Sequence, residues 1–319
     1  MTFRHLALAA LPALMLSLAS PHPARAQEAA APANPLWTTQ KTKNYLPEMT
    51  WPEVEALLKR TDMVIIPVGA IEQHGPQGPV GTDFFNGVEV AKLIAQRTDV
   101  LVAPILLPGN SPYHMGFPGT ITLSGETIQR VYFEAAQSLI RQGFKRVLIY
   151  PSHNGNQAIA KFIVDRINQE TPGIAVELGE AAAPFMPRPV AAPGGRTAPF
   201  DRHAGVGETS ASLYLTPSLV DLSAARQAKV TLPPHMQAML PLVEAGDPTA
   251  TQVFLAEGLK AEATGKHTST REMTDTGAWS KRNPSAATAA AGKAQVDAMV
   301  SASVQFIERW KQLRPVGTP

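Results

Sequence analysis

Glu72 and His74 stand two residues apart, just beyond the apolar run Val64-Ile65-Ile66-Pro67-Val68, and Asp83 follows after a stretch rich in Gly and Pro. In an extended chain, residues i and i+2 point to the same side. The pair therefore sets an oxygen donor beside a nitrogen donor at the end of a strand. Glu, His and Asp together suit divalent ions such as zinc, manganese, nickel or iron. The same residues would also serve as a polar strand end at a surface turn, and the pair alone does not decide. Because the chain has no cysteine, it has no disulfide or thiolate ligand, and any metal must be held by nitrogen and oxygen.

Further along, His153 follows directly on a buried strand and opens His153-Asn154-Gly155-Asn156. Asn and Gly let the backbone turn tightly into the next helix, so this imidazole is either a helix-start residue or a rigidly held ligand. His203 lies in Asp201-Arg202-His203-Ala204-Gly205-Val206-Gly207-Glu208-Thr209-Ser210. Glu208 suits a helix N-terminus through the dipole; it could equally complete a coordination sphere or act as a general base. Asp201 is placed to orient His203. His114, in Tyr113-His114-Met115-Gly116-Phe117-Pro118-Gly119, reads as a substrate contact or as a loop residue bonded to backbone. His235 and His267 have no supporting constellation, and solvent exposure is expected for both.

The elements that must position these groups alternate. A helix begins at Thr50-Trp51-Pro52-Glu53, with Thr as its cap and Pro in the first turn. Short apolar strands are expected at Met63 to Val68, Val100 to Leu107, Arg146 to Tyr150 and Ile174 to Leu178. Helices are expected at Phe84 to Arg97, from a Ser124 cap to about Arg141, and from the 151–156 loop to about Gln169. Apolar strands alternating with helices predict an α/β fold, a three-layer α/β/α sandwich around a mostly parallel sheet. Ligands bind at the carboxyl ends of such strands, where the loops at 72–83, 110–120 and 151–156 should gather. Glu180 to Phe200 reads as a long Ala/Pro/Gly loop, a helix or strand resumes at Ser212 to Leu219, and a last helix is expected from about Ser285 to Leu313. The stretch from Val230 to Asp275 carries no clear periodicity.

Composition narrows the function classes. With 17% charged and 44% hydrophobic residues the 319-residue chain is globular rather than disordered. Residues 1–26 read as a secretory signal: Arg4 and His5 precede an apolar run from Leu6 to Ala19, and Ala24-Arg25-Ala26 fits a cleavage site before Gln27. A leader at 27–43 and one catalytic domain at 44–319 complete the expected organisation, and the expected location is periplasmic or secreted. Without Arg4 and Arg25 the basic and acidic residues balance, so no nucleic-acid footprint is expected. No membrane partner is expected once the signal is cleaved, and no later segment is long and apolar enough for a span.

Taken in order, Glu72-Gln73-His74-Gly75-Pro76 with Thr82-Asp83, Asn110-Ser111 with His114 and Gly116-Phe117-Pro118-Gly119-Thr120, His153-Asn154-Gly155-Asn156, and His203-Ala204-Gly205 with Glu208-Thr209-Ser210 resemble the creatininase (creatinine amidohydrolase) family. The resemblance runs from about Trp51 to Leu219, with a weaker echo from Thr276-Gly277 to Gly292. It implies an α/β/α enzyme that hydrolyses a C–N bond of a small cyclic or linear amide. It also implies a divalent metal, zinc first with manganese or iron as alternatives, one or two ions per chain, and a homo-oligomer, commonly a hexamer. By motif, Glu72, His74, Asp83 and His153 are the implied ligands, with Asp83 the bridge. Glu208 matches a carboxylate at the metal centre, His203 a proton-transfer residue, and His114 and Asn154 are taken as substrate contacts. Three departures stand out: Gly155 replaces a ligating Glu, Gln77-Gly78-Pro79 replaces His-Leu-Pro, and the Glu180 to Phe200 loop has no Trp. They point to a substrate other than creatinine, with creatinine itself and a non-catalytic binding protein as the alternatives.

Overall fold

The apolar run ahead of Glu72 forms β1 (Met63–Val68), and each of its residues is buried. The structure, a computed structural model, describes residues 34, 40–187, 199–260 and 268–318. The chain divides into Met1–Gln40 and Lys41–Pro319, and every element below lies in the second unit. The signal and most of the leader expected from the sequence lie outside the described residues, as does about half of the 180–200 loop.

β1 is an inner strand of a four-stranded parallel sheet in the order β2-β1-β3-β4, where β2 is Leu101–Val102, β3 is Arg146–Pro151 and β4 is Ile174–Glu177. The helices are α1 (Trp51–Leu58), α2 (Thr82–Thr98), α3 (Gly125–Gln142), α4 (Gln157–Glu170), α5 (Leu178–Ala182), α6 (Val206–Leu215), α7 (Pro234–Glu244), α8 (Pro248–Gly258), α9 (Ser269–Met273) and α10 (Ala289–Leu313). A small antiparallel pair joins β5 (Asp201–His203) to β6 (Trp279–Ser280).

Why the strand is apolar throughout follows from its two faces. Val64, Ile66 and Val68 pack with Ile128, Tyr132 and Ile163 of α3 and α4. Met63 and Ile65 pack with Ala91, Ile94 and Val300 of α2 and α10. Each such side chain contributes about 1.5–3 kcal/mol on burial, so neither face tolerates a polar residue. The result is the expected three-layer α/β/α arrangement with a parallel central sheet. Among the described residues no helix is long and apolar enough to cross a membrane.

Several boundaries differ from the sequence reading. The strand expected over Val100 to Leu107 is only two residues long. The Ala103 N–H still bonds to the Ile65 carbonyl at 2.9 Å, but Pro104 has no N–H to continue the ladder. Helix α2 starts at Thr82 rather than Phe84, so Asp83 lies in its first turn, where the dipole favours a carboxylate. The stretch expected to be loop from Glu180 is helical to Ala182 and continues as a 3-10 turn to Phe185. Helix α10 begins later than expected because Pro284–Ala286 forms a separate turn and Thr288 caps the helix, its hydroxyl accepting from the Ala291 N–H at 3.2 Å. The stretch without periodicity folds as α7, α8 and α9 over its own apolar cluster of Phe200, Leu232, Met236, Phe254 and Met273.

Candidate metal centre

The loops that follow β1 and β3 meet the first turns of α2 and α6. The β1 loop is fixed by backbone bonds: the Ile71 N–H donates to Pro108 O at 2.6 Å and the Glu72 N–H to Val80 O at 2.8 Å. Ser152, just past β3, donates to the Asp83 backbone carbonyl at 2.9 Å and ties α2 to the loop carrying His153. Glu208 is held by the Ala204 N–H, which donates to its Oε2 at 2.6 Å. Ala204 adopts a left-handed φ of 51°, which costs a non-glycine residue about 1–2 kcal/mol. That strain sits between His203 and Glu208 and turns both toward the sheet edge.

Two sets of donors share Asp83. One is Glu72, Asp83 and His153; the other is His74, Asp83 and Glu208; within each set the ligand atoms lie within 4.8 Å of one another. His153 Nδ1 is 3.3 Å from Glu72 Oε1 and 3.2 Å from Asp83 Oδ2. His74 Nε2 is 3.6 Å from Asp83 Oδ1 and 3.5 Å from Glu208 Oε1. A third set joins Glu72, His74 and His203.

Each imidazole turns one nitrogen to these carboxylates and ties down the other. The Nδ1–H of His74 donates to the Glu72 carbonyl at 3.0 Å, leaving Nε2 for the site. The Nε2–H of His153 donates to Asn110 O at 3.0 Å, leaving Nδ1. Outward hydrogen bonds of this kind fix the tautomer of a metal-binding imidazole. Glu72 Oε2, His74 Nε2 and Asp83 Oδ2 are buried with no hydrogen-bond partner among the described residues. Orphaned buried acceptors are costly, and several in one cluster are what a cation would satisfy. The nitrogen and oxygen donor set fits zinc, manganese or iron.

Electrostatics agree. Without a metal, protons must hold the carboxylates together. Burial disfavours the charged form of His74, yet Glu208 and Asp83 carry its pKa well above the ordinary 6.5. For His153, burial is likewise outweighed, by Glu72 and Asp83. Burial alone would raise Asp83, but His74 and His153 hold its carboxyl well below the usual range. Glu208 is lowered against its burial by His74 and then His203. His114 and His203 move the other way: burial comes first, then the neighbouring imidazoles, and both are pushed below the ordinary value.

The remaining candidates divide. His114 is buried beside the cluster, with Nε2 3.6 Å from Glu72 Oε1. His203 Nδ1 is 3.6 Å from the same oxygen. Asn154 is exposed, whereas Asn156 is buried, donating to Gly69 O at 2.8 Å and accepting from the Asn110 N–H at 3.1 Å. Asp201 does not orient His203. Its carboxylate accepts instead from the Val206 and Gly207 N–H groups at 3.1 and 3.3 Å and caps α6. His235 is exposed, and His267 lies outside the described residues. At Gly155 a Cβ would overlap the Tyr113 hydroxyl and His153 Nε2, so Tyr113 fills the space a side chain would need. Burial, with Glu72 and Asp83 nearby, keeps that hydroxyl protonated. Sequence reasoning passed over Gln73, Tyr113 and Thr270. Gln73, lodged between two ligand types, was the one with a signal. A cavity of about 320 Å³ opens against Asp83 and Glu208, walled by Asn86, Tyr150, Val296 and Met299.

A family model described as "Creatininase: Creatinine amidohydrolase" matches residues 47–307. Creatinine amidohydrolase of Pseudomonas putida is 31% identical over 206 residues, covering 60% of this chain and 79% of that protein. The 3-dehydro-scyllo-inosose hydrolase of Thermotoga maritima is 30% identical over 182 residues, covering 55% of this chain; the match spans 57% of that relative's length. A mutant creatininase shares the fold at a TM-score of 0.62 and 22% identity, covering 86% of this chain and 99% of that one. Solved creatininases with the same fold include Zn–Zn and manganese forms.

Proposed function

The chain belongs to the creatininase family, and on that premise we propose that it is a divalent-metal-dependent amidohydrolase cleaving a C–N bond in a small substrate other than creatinine. The observation that carries this reading is the pair of donor sets sharing Asp83, with unsatisfied buried atoms on Glu72, His74 and Asp83. Glu72, Asp83 and His153 would hold one ion, and His74, Asp83 and Glu208 a second. Glu208 thus takes the place left by Gly155. A bound zinc or manganese ion supplies Lewis acidity and a lowered pKa for water.

The chain's own groups do the rest. His203 is kept neutral by burial and by His74, and its Nδ1 faces Glu72 and Glu208. It accepts a proton from water as the oxygen bonds to the amide carbon, and it returns that proton to the leaving nitrogen as the C–N bond breaks. His114 faces the Glu72 carboxylate and contacts the substrate carbonyl. The substrate's remaining arm lies in the cavity beside Asp83 and Glu208.

Two hydrolases of about equal similarity act on different molecules by name, so relatedness does not select the substrate. Gly155 and the Tyr113 that fills its space support a molecule other than creatinine. The signal-like segment at residues 1–26 supports export, with a mature chain starting at Gln27, which mass spectrometry of the purified protein checks. The functional test is hydrolysis of creatinine and of a panel of cyclic and linear amides by zinc-loaded, manganese-loaded and chelator-stripped protein. We expect metal-dependent hydrolysis of a panel member and no conversion of creatinine to creatine. Robust creatinine turnover overturns the substrate reading. A fully loaded protein that hydrolyses none of the panel favours a binding protein on this fold.

A further inference from the structure

Gln73 separates Glu72 from His74 in sequence, is buried, and meets two imidazoles at once. Its backbone carbonyl lies 2.7 Å from His203 Nε2, and its side-chain Nε2 lies 3.0 Å from His114 Nδ1. The orientation of the side-chain amide is set independently. The Gly75 N–H donates to Gln73 Oε1 at 3.0 Å, and Gln73 Nε2 donates to the Gly277 carbonyl at 3.0 Å. Gly277 has a φ of 86°, and a Cβ there would overlap Gln73 Oε1, so only glycine allows this approach.

These contacts decide the tautomers. A carbonyl only accepts and an amide NH2 only donates. His203 Nε2 therefore carries a hydrogen, and its Nδ1 is bare. His114 is the reverse in placement: its Nδ1 is the acceptor for Gln73, and the Thr270 hydroxyl lies 2.8 Å from the same nitrogen. The hydrogen of His114 is left on Nε2. Gln73 Nε2 also approaches His203 Nε2 at 3.0 Å, but that pair joins two donors once the His203 N–H is committed to the carbonyl. Facing inward, His203 offers a lone pair and His114 an N–H, each 3.6 Å from Glu72 Oε1. The two rings stack at a centroid distance of 4.1 Å.

We propose that Gln73 is a positioning residue that splits the stacked pair His114–His203 into one hydrogen-bond donor and one acceptor, both aimed at the metal-binding carboxylates, with Thr270 reinforcing the donor. The catalytic consequence rests on the amidohydrolase reading. His203 carries the proton between water and the leaving nitrogen, while His114 keeps its N–H throughout and holds the substrate carbonyl oxygen, an interaction of the kind whose loss costs about 10²–10³-fold in rate. The tautomer assignment itself does not depend on that reading.

The test is long-range ¹H–¹⁵N correlation spectroscopy of zinc-loaded, ¹⁵N-histidine-labelled protein, with the rings assigned through His114→Gln and His203→Gln. The wild type should show both rings protonated at Nε2, and a bare Nδ1 on His114. In Gln73→Met/Thr270→Val, the His114 Nδ1 resonance should move toward the protonated range while His203 keeps its Nε2–H. Thr270→Ser, which retains the hydroxyl, should match the wild type. A protonated Nδ1 on His114 in the wild type overturns the proposal, and so does a double variant whose His114 nitrogens do not move. If the double variant does not fold, the wild-type spectrum decides alone: Nε2–H on both rings with a bare His114 Nδ1 supports the proposal, and a protonated His114 Nδ1 overturns it. A wild type with the assigned tautomers but no amide turnover would remove the hydrolytic reading and leave the Gln73 assignment standing.

Discussion

The sheet edge and the cap over it are built by different rules. At the edge, Glu72, Asp83 and His153 sit within a few residues of β1, α2 or β3, so short strand-to-helix turns place each of them. The cap, from Leu232 to Trp279, packs a small cluster of its own, and Trp279 Nε1 is buried there without a partner among the described residues. Among the described residues, the cap supplies none of the donors in the metal sets. It instead supplies Thr270 and the Gly277 carbonyl, which touch His114 and Gln73. Local chain geometry places the candidate donors, and distant chain contacts the side chains beside them.

The division predicts where damage should travel. The largest effect is at the shared ligand: Asp83→Ala should lose bound metal and bring hydrolysis to background, and His153→Ala should do the same. Elemental analysis beside the amide assay checks this, and retained metal in both variants would break the ligand assignment. Next comes the cap core. Phe254→Ala should cost about 3–5 kcal/mol, as aromatic truncations in packed cores do, yet leave the metal content of the folded protein unchanged. Denaturation read together with metal analysis tests the separation; loss of metal along with cap stability would show that the two regions are one unit.

A smaller effect follows from the charges. The folded pKa values of His74 and His153 are raised above the ordinary 6.5 by the facing carboxylates. Each therefore stabilises the metal-free protein fully below about 6.5, and that stability is lost as pH rises through the folded values. The Tm of chelator-stripped protein should fall with rising pH above neutrality, and zinc loading should remove the trend. A stripped protein with a flat profile would contradict the crowding of carboxylates. Metal uptake, which must displace those protons, should weaken as pH falls. Smallest is the cap's own helix start. Asp247 accepts from the Ala250 N–H at 2.7 Å, and Asp247→Ala should cost about 1 kcal/mol with metal content and tautomers untouched, measured by urea denaturation.

What could be read from residues alone follows the same division. The β-branched run of β1 and the spacing of Glu72, His74 and Asp83 announced a strand and a cluster of candidate donors because both depend on neighbours in sequence. Ser124 was legible as a cap for a similar reason, and its hydroxyl does accept from the Thr127 N–H. Pro104 was visible, but its consequence, a strand cut to two residues, needed the partner strand. Asn154 and Asn156 flank the same glycine, and only the 3-10 turn decides that Asn156 is the buried one. Gln73 looked like a spacer because its partners, His203, Thr270-linked His114 and Gly277, are far along the chain. Asp201 looked like a partner for His203 because it is close in sequence, and it was instead taken by the free N–H groups of α6.

The most direct measurement is anomalous scattering from crystals of the zinc-loaded protein, collected at the zinc edge. Two peaks should appear on either side of Asp83, one touching Glu72 and His153, the other touching His74 and Glu208. No peak, or a single peak with Glu208 turned away from it, would contradict a centre built from two donor sets sharing one carboxylate.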